Sequence, residues 1–166
     1  MKRLAITAAM TGAVLLNAVT AFAAPRVGQP APPFVGQTLD GQSFDLSKLR
    51  GHVVVVNLWA TWCPPCRAEM PMLDAYARAH QGEGLLLIGL SADRHRDLAE
   101  VRKAMQDLTY PAALLADAKT NGFGSPTKLP VTYIIGGDGV IKVVLSPGDA
   151  ALTTAQLNAA AAAAKN

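Results

Sequence analysis

The chain has 166 residues, 51% of them hydrophobic and 16% charged, with two cysteines and a formal net charge of +3. That length supports one domain with its own core, and two cysteines are too few for a disulfide-stapled scaffold, so the pair reads as chemical rather than structural. Without Lys2 and Arg3, 13 basic residues face 12 acidic ones, scattered with no basic run beyond Arg94-His95-Arg96, which leaves no nucleic-acid footprint.

Lys2 and Arg3 open the chain with positive charge, Leu4 to Val19 follow without any, and Ala21-Phe22-Ala23 fits a small-x-small cleavage site. This is the pattern of an export signal. Residues 1–23 are expected to be a signal peptide, and residues 24–166 a single domain. A retained membrane anchor competes, because Leu4 to Ala24 is just long enough to span a bilayer; Thr7, Thr11, Asn17 and Thr20 weigh against it. No cysteine follows the apolar run, which argues against a lipid-modified terminus. Under either reading the domain faces an oxidising space where a disulfide persists, and the short, Ala-rich signal points to a bacterial periplasm.

Ala24 to Pro33 is Pro-rich and reads as an extended lead-in. Leu39 to Phe44, centred on Asp40-Gly41, reads as a hairpin turn, since Asp-Gly tolerates positive backbone angles. Val53 to Trp59 has the length and β-branching of a fully buried central strand. Pro65 to His80 reads as a helix with Met70, Met72, Leu73, Tyr76 and Ala77 inward and a kink at Pro71. Leu85 to Leu90 is a second apolar strand, Asp97 to Leu108 a helix with Leu98, Val101 and Met105 on one face, and Ala112 to Ala116 a short strand. Val131–Ile135, Gly136–Gly139 and Val140–Leu145 form a strand–turn–strand hairpin. Thr153 or Thr154 caps a last, Ala-rich helix. Early alternation of strands and helices, closed by an antiparallel hairpin, implies an α/β fold with a mixed sheet and helices on both faces.

Both cysteines lie in Trp59-Ala60-Thr61-Trp62-Cys63-Pro64-Pro65-Cys66-Arg67-Ala68-Glu69-Met70-Pro71. A strand followed by C-x-x-C is a thiol–disulfide redox signature. At a helix N-terminus, free N–H groups and the helix dipole stabilise a thiolate, which makes Cys63 the nucleophile and Cys66 the shielded residue that resolves the mixed disulfide. Pro64 and Pro65 fit the first turn, where a missing N–H costs little. Glu69 lies near Cys66 on the helix surface; spacing alone leaves it open between handling the Cys66 proton and being a solvated acid at a helix start. Trp62 reads as an apolar contact surface beside Cys63, and Trp59 as core. His52, His80 and His95 have no useful mutual spacing. No metal ligand set and no cofactor beyond the cysteine pair is read.

The W-C-x-x-C segment, the lead-in from Asp40-Gly41 to Leu49-Arg50-Gly51, and Leu129-Pro130-Val131-Thr132-Tyr133-Ile134-Ile135 with Asp138-Gly139 resemble the thioredoxin fold. More closely, they resemble the TlpA/ResA-like periplasmic thiol–disulfide oxidoreductases, a branch that includes the reductants of cytochrome c maturation. The resemblance covers roughly Gly28 to Leu157 and implies a thioredoxin-fold domain with an N-terminal β-hairpin extension. It further implies that Glu69 is a mechanistic acid, that Pro130 is a cis-proline facing the disulfide, and that the Leu129 backbone pairs with an extended client segment. From Leu-Pro alone, a trans-proline opening an edge strand is the better reading. The implied partners are client-protein disulfides, such as apocytochrome c or copper-centre assembly proteins, and a membrane thiol electron donor, with reduction as the usual direction. Two departures stand out. Asn57 occupies the place of a buried aspartate in classical thioredoxins and cannot shuttle a proton. The approach from Gly122 to Lys128 is longer than the family's, so client contacts there are not carried over.

Three other functions compete. A peroxiredoxin-like peroxidase shares the fold but needs a Pro-x-x-x-Thr-x-x-Cys context, where this chain has Asn-Leu-Trp-Ala-Thr-Trp before Cys63. A copper-binding assembly factor would exploit soft thiolates, but related factors use C-x-x-x-C and a distant histidine. An oxidant or isomerase usually carries His between the cysteines or an added dimerisation domain.

Overall fold

The computed structural model describes residues 24–146 and 152–164; the signal-peptide reading of 1–23 lies outside them. All seven residues of β3 (Val53–Trp59) are buried. Its run of four valines suits a strand covered on both sides, because β-branched side chains pack well on a pleated surface and alternate between two apolar layers. β3 pairs in parallel with β4 (Leu85–Ser91) and antiparallel with β7 (Val131–Ile135). With β5 (Ala112–Leu114) and β8 (Ile141–Leu145) outermost, the five-stranded order is β5-β4-β3-β7-β8.

A second sheet has the order β2-β1-β6, from β1 (Phe34–Gln37), β2 (Ser43–Asp45) and β6 (Thr120–Asn121). β1 and β2 are antiparallel across a turn in which Gly41 takes φ +83°, a conformation that a side chain would strain. Thr38 bridges to Ala113, tying this sheet to the β5 edge. The Pro-rich lead-in is also tied down: Gly28 donates to the Ile141 carbonyl at 2.8 Å, and Pro30 bridges to Val140.

Two core layers follow from the alternation along β3. Val53, Val55 and Trp59 face one layer with α1 (Pro64–Ala79), α2 (Leu98–Met105) and α3 (Thr154–Ala164), whose buried Leu73, Val101 and Leu157 all belong to it. Val54, Val56 and Leu58 face the other layer with Phe34, Leu46 and Phe123. Helices lie on both faces, but unequally: the described α-helices cover one face, while β1 and the one-turn helices Leu46–Leu49 and Leu115–Asp117 cover the other. The steps from β3 to β4 and from β4 to β5 move the same way across the sheet, and right-handed crossovers then put both α1 and α2 on the same side.

Other boundaries shift by local chemistry. α1 begins at Pro64 and runs unbroken through Pro71. The Asp97–Leu108 helix shortens to α2, preceded by a single turn at His95–Asp97. β6 has only two residues and no apolar pattern to announce it. Thr153 is the cap of α3. Its hydroxyl accepts from the Gln156 N–H at 3.2 Å, while the Gln156 side chain accepts from the Thr153 N–H at 2.9 Å, a reciprocal capping box. Among the described residues no helix is long and apolar enough to cross a membrane.

Gly89 on β4 shows how tightly the first layer is packed. A Cβ there would stand 2.9 Å from Trp59 Nε1 and 3.2 Å from the Tyr110 ring. Both rings are buried aromatics that cannot swing aside. Gly89→Ala is expected to cost about 1–3 kcal/mol through overpacking, measurable as a lower urea midpoint with an unchanged slope.

Candidate active site

Residues 60–62 cross from the C-terminal end of β3 to α1. Cys63 takes extended backbone (φ −104°, ψ 97°) as the residue capping the helix. Pro64 and Pro65 occupy the first two helical positions, where their fixed φ suits the helix but neither has an N–H. The first helical N–H able to donate is therefore that of Cys66, and it bonds Cys63 Sγ at 3.3 Å. The two cysteines form a disulfide with Cα atoms 5.3 Å apart. Cys63 keeps 6% of its surface and Cys66 1%, and both lie in the first core layer.

Trp62, by contrast, is 66% exposed. It borders a groove of about 640 Å³ between α1 and α2, lined also by Met70, Pro71, Lys103, Ala104 and Leu108. Pro64 and Pro65 are exposed. The Leu129–Pro130 peptide is cis. Val131 stands opposite Leu58 in the register of β7 with β3, so Leu129 and Pro130 fall at the end of β3 from which the cysteine loop leaves. The Leu129 side chain packs against both core layers.

Glu69 lies one turn beyond Cys66, half-buried on α1. Burial pushes its carboxyl above the usual carboxylate range; the Leu152 backbone N–H donates to it and pulls the other way. That bond joins the first turns of α1 to the approach to α3. Asn57 is buried, and its Nδ2 donates to Thr132 Oγ1 at 2.9 Å, while its Oδ1 has no partner among the described residues. Thr132 is directly opposite Asn57 in register. The histidines take other roles: His95 pairs with Asp117 at 2.8 Å, His80 with Glu83 at 3.0 Å, and His52 is exposed. Among the described residues no group of three or more His, Cys, Asp or Glu is placed to hold a metal ion.

One part of the site escaped the sequence reading. Asp93, just past the end of β4, is buried and accepts two hydrogen bonds from Thr61, two residues before Cys63. A usable signal was present. Ser91-Ala92-Asp93 closes an apolar parallel strand at the carboxyl end of the sheet, where α/β proteins place functional groups.

A mixed sheet with a cysteine pair at the start of the first helix, and a cis-proline loop at the same end, defines a thiol–disulfide oxidoreductase of the thioredoxin fold. The chain belongs to the AhpC/TSA family, which it matches over residues 27–144. It is 33% identical over 116 residues to a thiol-disulfide oxidoreductase ResA of Bacillus cereus, covering 70% of this chain and 67% of that one. It is 32% identical over 144 residues to ResA of Bacillus thuringiensis (strain Al Hakam), covering 84% and 83%. The crystal structure of a thiol:disulfide interchange protein, a thioredoxin family protein from Chlorobium tepidum TLS, superposes with a TM-score of 0.67 at 27% identity, covering 86% of this chain and 99% of that one.

Proposed function

We propose that this chain is an exported, periplasmic reductant of client-protein disulfides, with Cys63 and Cys66 as its whole redox apparatus. The Cys63 thiolate attacks a client disulfide, forming a Cys63–client S–S bond and releasing one client thiolate. Cys66 then gives up its proton and attacks Cys63 Sγ. The Cys63–Cys66 bond forms, the second client sulfur leaves, and the client has gained two electrons. The Cys63–Cys66 disulfide is the oxidised form in which that cycle ends, and a membrane dithiol donor would reduce it again.

The observation that carries the direction is the donor count at the helix start. Pro64 and Pro65 remove two N–H groups, leaving Cys66 as the first to reach Cys63 Sγ. Fewer donors stabilise the thiolate less, and a dithiol whose thiolate is poorly stabilised is the better reductant. Equilibration with glutathione or dithiothreitol buffers is expected to give a potential near thioredoxin's, about −270 mV, and a value near −120 mV would make the protein an oxidant instead.

Client recognition falls to Trp62, Pro64, Pro65, Leu129 and Pro130. The exposed indole and the adjoining groove offer apolar surface beside the nucleophile, and the Leu129–Pro130 segment lies at the same end of the sheet. Apocytochrome c and copper-centre assembly proteins are the client classes in view, and both occur where the expected signal peptide would deliver the chain. Mass spectrometry of protein from the periplasmic fraction tests this: a mature chain starting at Ala24 supports export, and full-length protein in the cytoplasm opposes it.

Glu69 is the proton acceptor and donor for Cys66. A raised carboxyl pKa keeps it partly protonated nearer neutrality, and its ionised form takes the thiol proton, so exchange should accelerate as pH rises through that pKa. Glu69→Gln is expected to slow resolution of the mixed disulfide by about 10²-fold and to remove that limb of the pH–rate profile. Stopped-flow tryptophan fluorescence reads both; an unaltered profile would show Glu69 to be a bystander.

A further inference from the structure

Building on the dithiol reading above, we propose that Asp93 is a positioning residue for the exchange reaction, acting through Thr61 to hold the loop that presents Cys63 and Trp62 together. Asp93 is 2% exposed. Its Oδ2 accepts from the Thr61 backbone N–H at 2.9 Å and from the Ser91 hydroxyl at 2.7 Å, and its Oδ1 accepts from the Thr61 hydroxyl at 2.7 Å. The Asp93 N–H donates in turn to Ser91 Oγ at 3.0 Å. One residue earlier, the Ala92 N–H donates to the Trp59 carbonyl at 2.8 Å. The end of β4 thus grips the exit of β3 at both Trp59 and Thr61. Beyond that grip, the Cys63 N–H closes onto the Ala60 carbonyl at 3.2 Å.

The chemistry explains why a carboxylate stands there. Three donors converge on one side chain, and a carboxylate offers acceptor sites on both oxygens. The loop needs an external hold because its two functional neighbours make opposite demands. Trp62 is held mostly out in solvent, whereas Cys63 is enclosed in the extended conformation of a helix cap. A displacement of about 1 Å at a reacting group is enough to cost on the order of 10²-fold in rate, and residues 60–62 are the covalent link between β3 and the cap. Asn at 93 can keep the geometry, since its oxygen can take the place of Oδ2 while its amide donates to the Thr61 hydroxyl. Ala cannot.

The test compares wild type, Asp93→Ala, Asp93→Asn, Thr61→Val and Cys63→Ser. The readouts are kcat/KM for reduction of insulin disulfides with dithiothreitol as donor, and the pH midpoint for alkylation of Cys63 by iodoacetamide in the reduced protein. Asp93→Ala is expected to lose about tenfold or more in kcat/KM, and Asp93→Asn to return to within about threefold of wild type. Thr61→Val conserves volume and keeps a carboxylate at 93, so its alkylation midpoint reads the loss of the hydroxyl's hold on the loop with no charge removed. It is expected to rise, with a fall in kcat/KM of about threefold. The proposal is overturned if folded Asp93→Ala keeps wild-type kcat/KM, whether or not it is less stable to heat. Should Asp93→Ala fail to fold, Thr61→Val decides: wild-type values in both readouts overturn the proposal. Cys63→Ser separates the two levels. If wild type and Cys63→Ser are equally inert, the dithiol reading has failed; if wild type is active, Cys63→Ser dead and the Asp93 and Thr61 variants unimpaired, only the positioning role has failed.

Discussion

Cys66→Ala should convert the protein from a catalyst into a trap. The variant keeps Cys63 at the head of α1, so attack on a client disulfide proceeds and a mixed disulfide accumulates. Release requires a second sulfur within bonding reach of Cys63, and Cys66 is the residue the helix puts there. Turnover is expected to fall on the order of 10³-fold or more, while covalent client adducts appear on non-reducing gels and vanish with dithiothreitol. Cys63→Ser should lose as much activity with no adduct, because Cys66, 1% exposed against 6% for Cys63, is the more shielded sulfur. Adducts of equal yield from both variants would reverse or erase the assignment of nucleophile and resolver. The experiment also identifies clients directly, without prior commitment to apocytochrome c or copper-site proteins.

Trp59→Ala is expected to be the most destabilising single change. Trp59 closes β3 directly beneath the cysteine loop, with 0% of its surface exposed, in the layer shared with both cysteines, Tyr110 and Leu73. Deleting a buried indole removes its transfer free energy and leaves a cavity that the neighbouring strand cannot fill, a loss of about 3–5 kcal/mol. For a chain with ordinary marginal stability, that is a large share of the total. Trp59→Phe separates volume from polarity. Trp59 Nε1 has no hydrogen-bond partner among the described residues, so Phe gives up no bond and relieves a buried, unsatisfied N–H. It is expected to recover most of the loss, about 2 kcal/mol or more. A urea titration of the three proteins reads the order wild type, Phe, Ala. A Phe variant as unstable as Ala would show that the site depends on the full volume of the indole.

The two aromatic neighbours of the cysteine loop illustrate how sequence and structure divided the work. Trp59 and Trp62 are three residues apart, and both were separable in the sequence: one ends an apolar run, the other abuts the cysteine. The structure buries the first completely and leaves the second 66% exposed. Asp93 was marked by its place just past an apolar strand, but its partner was not. An acid after a strand is ordinarily solvated, and only the pairing of β3 with β4 brings it to Thr61, 32 residues earlier in the chain. Glu69 sits between these cases. Helical spacing placed it near Cys66, but the Leu152 N–H that moderates its basicity comes from the approach to α3, which no local pattern connects to α1.

Periodicity and punctuation in the chain by themselves determined the central strand, the helix that follows it, the late hairpin and the position of both sulfurs. These are local consequences of side-chain branching, proline at a helix start and glycine in turns. Which face carries the α-helices, which strand completes the second sheet and which carboxylate grips the active loop were decided only by the assembled fold. Each depends on strand order and register, and these emerge when distant apolar segments compete for the same buried partners.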